Sequence, residues 1–267
     1  MSSSVVGYQN KTATEGGLHF VTATFLDING SKAINDLYQL DETVGTGGAD
    51  LQLLDKDGIA TAQYKWLKKG SPEAAGVTFK AGQNGVWATV TTVWDEEEEE
   101  DVATYTPITD EIETGRALAL QFQYAGGKTV TFKGIVPDAD VNVTNAVAGL
   151  FFIGNPFPQS IDIQSVQMDE TVGTGGADLQ ILDKDGIATA QYKWLKKGSP
   201  EAASVTFSDG QNGLWAVVTT VWDEEEEEDI ATYTPVEAGT VSLDAGDGVQ
   251  IQCGAEKGVK IFAPYSL

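Results

Sequence analysis

Apolar and polar residues alternate along most of this chain. In residues 59–67, Ala60, Ala62, Tyr64 and Trp66 fall on one face and Thr61, Gln63 and Lys65 on the other, the period of a half-buried strand. Residues 86–94 are rich in Val, Thr and Trp, which suit a pleated sheet. Leu118, Leu120 and Phe122 alternate with Ala119, Gln121 and Gln123, and Val130 and Phe132 alternate with Thr129, Thr131 and Lys133. Turn signals separate these runs: Gly45-Thr46-Gly47-Gly48, Asp57-Gly58, Asn84-Gly85 and Gly126-Gly127. Helical spacing is confined to residues 31–40, through Ile34, Leu37 and Tyr38; their counterpart, residues 160–168, reads equally as helix or strand. Short strands between Gly-rich turns predict an all-β fold, a sandwich or barrel. Trp66, Trp87, Trp94, Trp194, Trp215 and Trp222 are expected to supply its core.

The pattern occurs twice. Residues 40–107 recur at 168–235, with eight differences over 68 positions. Five of these exchange one apolar residue for another or Thr for Val; the other three (Gly76/Ser204, Lys80/Ser208, Ala81/Asp209) cluster about a predicted turn. A weaker match extends outward: Gly17-Leu18-His19-Phe20-Val21 with Gly149-Leu150-Phe151-Phe152-Ile153, and residues 115–121 with 246–252. Such a repeat predicts two tandem homologous β-sandwich domains, jelly-roll or Ig-like, at 1–140 and 141–267, joined near Pro137-Asp138-Ala139-Asp140.

Charge narrows the function. Forty acids against sixteen bases give a net charge of −24 over 267 residues, which repels nucleic acid and anionic membranes. Both copies are acidic: 21 acids and 10 bases in 1–140, 19 and 6 in 141–267. A single histidine, His19, and a single cysteine, Cys253, exclude a His/Cys zinc centre and an intrachain disulfide. No apolar run is long enough to span a bilayer, and the first residues lack the basic and apolar regions of a signal. The expectation is a cytosolic protein or a mature chain after signal removal.

Two motifs carry candidate chemistry. Asp55-Lys56-Asp57-Gly58 and Asp183-Lys184-Asp185-Gly186 resemble the start of a calcium loop, but the twelfth position from Asp55 is Trp66, so the EF-hand pattern is incomplete; an Asp-Gly hairpin turn is the competing reading. Seven consecutive acids occupy 95–101 and again 223–229. Like charges favour an extended, solvated loop; a site for divalent cations or a basic partner is the alternative. Asp55, Asp57, Asp183, Asp185, Glu96, Glu98, Asp101, Glu224, Glu226 and Asp229 are the candidate ligands, with calcium the candidate ion. The paired lysines Lys68-Lys69 and Lys196-Lys197 are the basic clusters that an acidic run on another subunit can meet. Gly45-Thr46-Gly47-Gly48 lacks the Gly-Lys-Ser/Thr ending of a phosphate loop, and adjacent acids on flexible sequence offer nothing to split their pKa values for glycosidase work. No enzymatic activity is expected. Asn10-Lys11-Thr12 and Asn142-Val143-Thr144 match the glycosylation sequon.

The segment Gly149-Leu150-Phe151-Phe152-Ile153-Gly154-Asn155-Pro156-Phe157-Pro158-Gln159-Ser160-Ile161-Asp162 resembles a motif that opens β-sandwich modules of secreted bacterial surface proteins. Leu243-Asp244-Ala245-Gly246-Asp247-Gly248-Val249-Gln250-Ile251 fits the Gly-Asp-Gly segment before the final strand of such modules. The first copy departs from the motif, with Val21-Thr22-Ala23-Thr24-Phe25 and Gly115-Arg116-Ala117 at those places. The resemblance implies secretion and an adhesive or structural role, with no catalytic residue.

Together these readings predict a structural subunit of an extracellular bacterial filament, sheath or surface layer. Its partners would be further copies of itself, associating head to tail because copy two meets the next chain's copy one as the two copies meet within a chain. A carbohydrate-binding or adhesive surface module is the alternative. It requires exposed, coplanar aromatic pairs for a glycan.

Overall fold

A computed structural model describes residues 6–97, 99–123, 127–145, 148–224 and 227–265. Glu98, Glu226 and Gly126 lie outside the described residues. The fold is all-β, built from antiparallel sheets. The first half runs β1 (Val6–Ala13), β2 (Gly17–Val21), β3 (Gln39–Leu40), β4 (Ala49–Leu54), β5 (Ala60–Lys68), β6 (Gly85–Asp95), β7 (Glu100–Pro107), β8 (Leu118–Phe122) and β9 (Lys128–Ile135). The second runs β10 (Val141–Asn145), β11 (Gly149–Gly154), β12 (Ile161–Asp162), β13 (Val166–Met168), β14 (Ala177–Leu182), β15 (Ala188–Lys196), β16 (Gly213–Asp223), β17 (Glu228–Pro235), β18 (Ser242–Leu243), β19 (Gly248–Cys253) and β20 (Lys257–Ile261).

Each half holds a six-stranded sheet, ordered β2-β8-β4-β5-β6-β7 and β11-β19-β14-β15-β16-β17. Each also holds a three-stranded sheet, β1-β9-β3 and β10-β20-β13; β12 and β18 pair separately. The inward residues of the two sheets share one core per half. In the first, Leu51, Trp66, Trp87, Leu118 and Leu120 of the large sheet meet Leu40, Val130 and Phe132 of the small one. In the second, Leu179, Trp194, Trp215 and Ile251 meet Met168, Val259 and Ile261. The expected helix is one turn, Ile34–Leu37, and residues 163–165 form a 3-10 turn at its counterpart.

Both short turns anchor β6 and β16 from below. Asn35 Oδ1 accepts from Trp87 N (2.5 Å) and its Nδ2 donates to Ile108 O (2.8 Å). Gln164 does the same work in the second half, accepting from Trp215 N (2.8 Å) and donating to Val236 O (3.0 Å). The ring N–H of Trp87 donates to Tyr38 O (2.9 Å), and that of Trp215 to Val166 O (2.7 Å). Their hydrogen bonds offset the desolvation of these buried amides and indoles and fix the strand roots.

One expectation fails. Trp66, Trp87, Trp194 and Trp215 are fully buried, but Trp94 and Trp222 are each 57% exposed. The cause is a split in the sheet. β5 pairs β6 only over Lys65–Lys68 with Ala88–Gly85, while β6 and β7 stay paired out to Asp95 and Glu100. Beyond Ala88 the two strands form a ribbon, with no third strand paired to it among the described residues.

Candidate functional site

Three features recur between the halves: the loops of the Asp-x-Asp-Gly motif, the seam, and the two protruding ribbons.

The Asp-x-Asp-Gly loops are tight hairpin turns. Asp55 Oδ1 accepts from the backbone of Asp57 and of Ile59, both at 2.9 Å, and Asp183 repeats this with Asp185 and Ile187. These amide bonds hold both carboxyls below the usual range, with Ile59 and Ile187 the larger contributors. Asp57 pairs with Lys56 (2.6 Å) and Asp185 with Lys184 (3.1 Å). Gly58 and Gly186 sit at φ +76° and +77°, the left-handed conformation that glycine takes without penalty. Each loop's carboxylates are turned to their own backbone and lysine. Among the described residues, no three His, Cys, Asp or Glu side chains converge on one point.

What these loops hold is the other half of the chain. Leu150 N donates to Lys56 O (2.7 Å), and Leu18 N donates to Lys184 O (2.7 Å). Leu18 and Leu150 are equivalent residues, as are Lys56 and Lys184, so the two bonds are exchanged. The same reciprocity holds for Gly154 N to Gly115 O (2.9 Å) and Thr22 N to Gly246 O (3.0 Å), and for the bridges Val21–Asp247 and Ile153–Arg116. At the centre Phe20 stacks on its own counterpart, Phe152, with ring centroids 4.9 Å apart and planes 4° from parallel. A seam in which residue i meets j and j meets i is isologous. The halves are thus related by a pseudo-two-fold axis through the Phe20–Phe152 stack. This seam between the two halves is made within one chain.

Two clefts flank the axis, of about 250 and 280 Å³. His19 lines the first, its Nε2 3.1 Å from Glu15 O; a Lys11–Asp247 ion pair closes one side. Arg116 lines the second, its burial lowering the guanidinium pKa against the opposing pull of Glu113 at 3.6 Å. Cys253 is buried, its Sγ 3.6 Å from Gly176 O.

Residues 149–162 have a physical role at this seam. Asn155 is fully buried. Its Oδ1 accepts from Phe157 N (3.0 Å), and its Nδ2 donates to Gln159 O (2.6 Å) and Leu243 O (3.0 Å). Its backbone N–H donates to Asp247 O (2.9 Å). Residues 149–162 and 243–251 are therefore bonded to one another. Gly154 is obligatory there: a Cβ would lie 2.5 Å from Asp247 O and 2.8 Å from Thr22 Cβ.

The acidic runs are the ends of the ribbons. Asp95, Glu100 and Asp101 are strand residues, with Trp94 opposite Asp101 and Asp95 opposite Glu100. In the second half Trp222 lies opposite Asp229 and Asp223 opposite Glu228. Asp95 Oδ1 accepts from Glu97 N (2.8 Å), and Glu99 and Glu227 adopt φ +55°. The described residues of each run close a β-hairpin and are exposed, apart from the half-buried Asp95 and Asp223. Glu96, Asp101, Glu224 and Asp229 are exposed around these tips. The described candidate acids stand in two kinds of place, the ribbon tips and the Asp-x-Asp-Gly loops.

Sequence reasoning missed the exposed apolar residues of the ribbons: Val90, Val93, Trp94 and Val102 are 37–61% exposed, and Val217, Val221, Trp222 and Ile230 are 44–62% exposed. The available signal was that a β-branched run ending in Trp leads directly into seven acids, too charged to enter a core. Each copy exposes one Trp, and the edge-on pairs Trp66–Trp87 and Trp194–Trp215 are buried. No family model, curated protein or solved structure matches this chain.

Proposed function

We propose that this chain is a structural subunit of an extracellular bacterial assembly, a filament, sheath or surface layer made of copies of itself. It comprises two tandem β-sandwich domains, 1–140 and 141–267. The observation that carries this reading is the pair of ribbons. A monomer that projects two β-hairpins with Val, Ile and Trp in water exposes apolar surface of the kind that marks interaction sites, on two-stranded units that are marginally stable alone. Both ribbons stand at equivalent positions, so one chain has two equivalent means of contact. The surface-protein resemblance of residues 149–162 supports an extracellular setting, and the acidic tips suit divalent cations as counterions between subunits.

A glycan-binding module is weaker support for these residues: stacking a sugar wants paired exposed aromatic faces, and each copy offers Trp94 or Trp222 singly. Negative-stain microscopy of the concentrated full chain tests the assembly reading. Regular rows or sheets are expected; isolated particles at every concentration would overturn it.

A further inference from the structure

Resting on the assembly reading, we propose that the ribbons are self-complementary contacts. The β6–β7 ribbon of one chain packs antiparallel, face to face, on a ribbon of a second copy, each acidic tip lying over the other's basic root. The strand register defines the face. Val90, Thr92 and Trp94 of β6 stand beside Tyr105, Ala103 and Asp101 of β7. Alternation places them on the side of Leu67, Val86 and Ala88, the small cluster on which Phe79 and Tyr105 pack. Lys69 belongs to the same side, its Nζ 5.8 Å from the Phe79 ring centre. From root to tip this face reads cation, Val90 with Tyr105, Thr92 with Ala103, Trp94, carboxylates, while Val93 and Val102 point to the opposite face.

The second ribbon has the same order of cation, Trp and carboxylates, with Val218 half-buried and Val217, Val221 and Ile230 on the opposite face. Val218, Thr220 and Trp222 stand beside Tyr233, Ala231 and Asp229, Phe207 and Tyr233 pack on Leu195 and Ala216, and Lys197 Nζ is 5.9 Å from the Phe207 ring centre. An apolar face with opposite charges at its two ends matches a copy of itself turned end for end. That is the requirement for an isologous contact, with the charges setting register. Lys65 and Lys193 add cations at the roots, though Asp50 and Asp178 already pair with them at 2.5 and 2.6 Å.

The distribution of the repeat agrees. Tips, apolar faces and root lysines all lie within 40–107 and 168–235, where eight of 68 positions differ. The seam loops 55–58 and 183–186 also lie within it, but the seam strands lie outside it and have diverged, with Thr22 against Gly154 and Arg116 against Asp247. Two surfaces that must each fit the same partner have reason to stay alike; two surfaces that fit one another have reason to differ. Since the seam closes each chain internally and each chain carries two ribbons, reciprocal ribbon contacts generate an open linear row.

Sedimentation velocity of the full chain tests this. Trp94→Glu with Trp222→Glu, at exposed positions that leave the core intact, is expected to raise the concentration needed for association by at least about tenfold. Lys69→Glu/Lys197→Glu and Glu96→Lys/Glu99→Lys/Glu224→Lys/Glu227→Lys are each expected to lose association, and an equimolar mixture to recover it. Far-UV circular dichroism confirms that each variant is folded. Association of the wild type that the Trp variant leaves unchanged overturns the ribbon contact and leaves the assembly reading standing. A wild type that stays monomeric at every concentration overturns both.

Discussion

Gly154 shows how much a single residue decides at the seam. Its missing side chain admits Thr22 and the Asp247 carbonyl from either side. Gly154→Val forces two strands apart and is expected to destabilise the chain by about 1–3 kcal/mol; urea denaturation with an unchanged midpoint would contradict the seam. Asp55 and Asp183 act differently, through charge. Loop amides hold both carboxyls below the usual value of 3.8, so the unfolded chain takes up protons first as pH falls. Their stabilisation is complete above the ordinary carboxylate range and is lost as pH falls through the lower folded value. The Asp55→Ala/Asp183→Ala chain is therefore expected to lose stability less steeply below about pH 4 than the wild type. Equal slopes in acid would remove the loops from the account. These roles were half legible in the sequence. Asp-Gly announces a turn, but no local pattern says that the carbonyl of Lys56 will meet Leu150.

At the scale of elements, the same Trp-rich strand is core at one end and surface at the other. Trp66→Ala is expected to cost about 3–5 kcal/mol as a core deletion, and Trp94→Ala to change the stability of the dilute chain by no more than about 0.5 kcal/mol. Similar losses for both in thermal unfolding would mean that the ribbon is packed. The alternation of residues 86–94 reads correctly as a strand. It is silent on where β5 stops pairing, because Val, Thr and Trp satisfy a sheet position whether or not a second layer covers it. Asn35 and Gln164 hide for another reason: their counterpart positions differ in residue and in local turn, so the repeat does not flag them, although both anchor the ribbon roots. Calcium separates the loops from the tips. Because the loop carboxylates are turned to their own amides and lysines, the melting temperature of the dilute chain is expected to be the same in millimolar calcium and in chelator. A rise approaching the ~2.7 kcal/mol of a site held at a hundred times its dissociation constant would place an ion within the fold.

At the scale of the molecule, the charge of −24 has a specific geometry. Fourteen of the forty acids lie in the two runs at the ribbon ends, at equivalent places of a pseudo-symmetric body whose own seam is closed. A β-strand rises about 3.4 Å per residue, so the eleven residues of β6 hold tip and root of one ribbon far apart. That separation makes one measurement decisive. Chains of normal and heavy nitrogen are mixed, joined by a zero-length carbodiimide link between amines and carboxylates, and read by mass spectrometry. The account predicts links of mixed isotope between Lys69 or Lys197 and the acids of 95–101 or 223–229. Links from these lysines confined to acids of their own chain would contradict it.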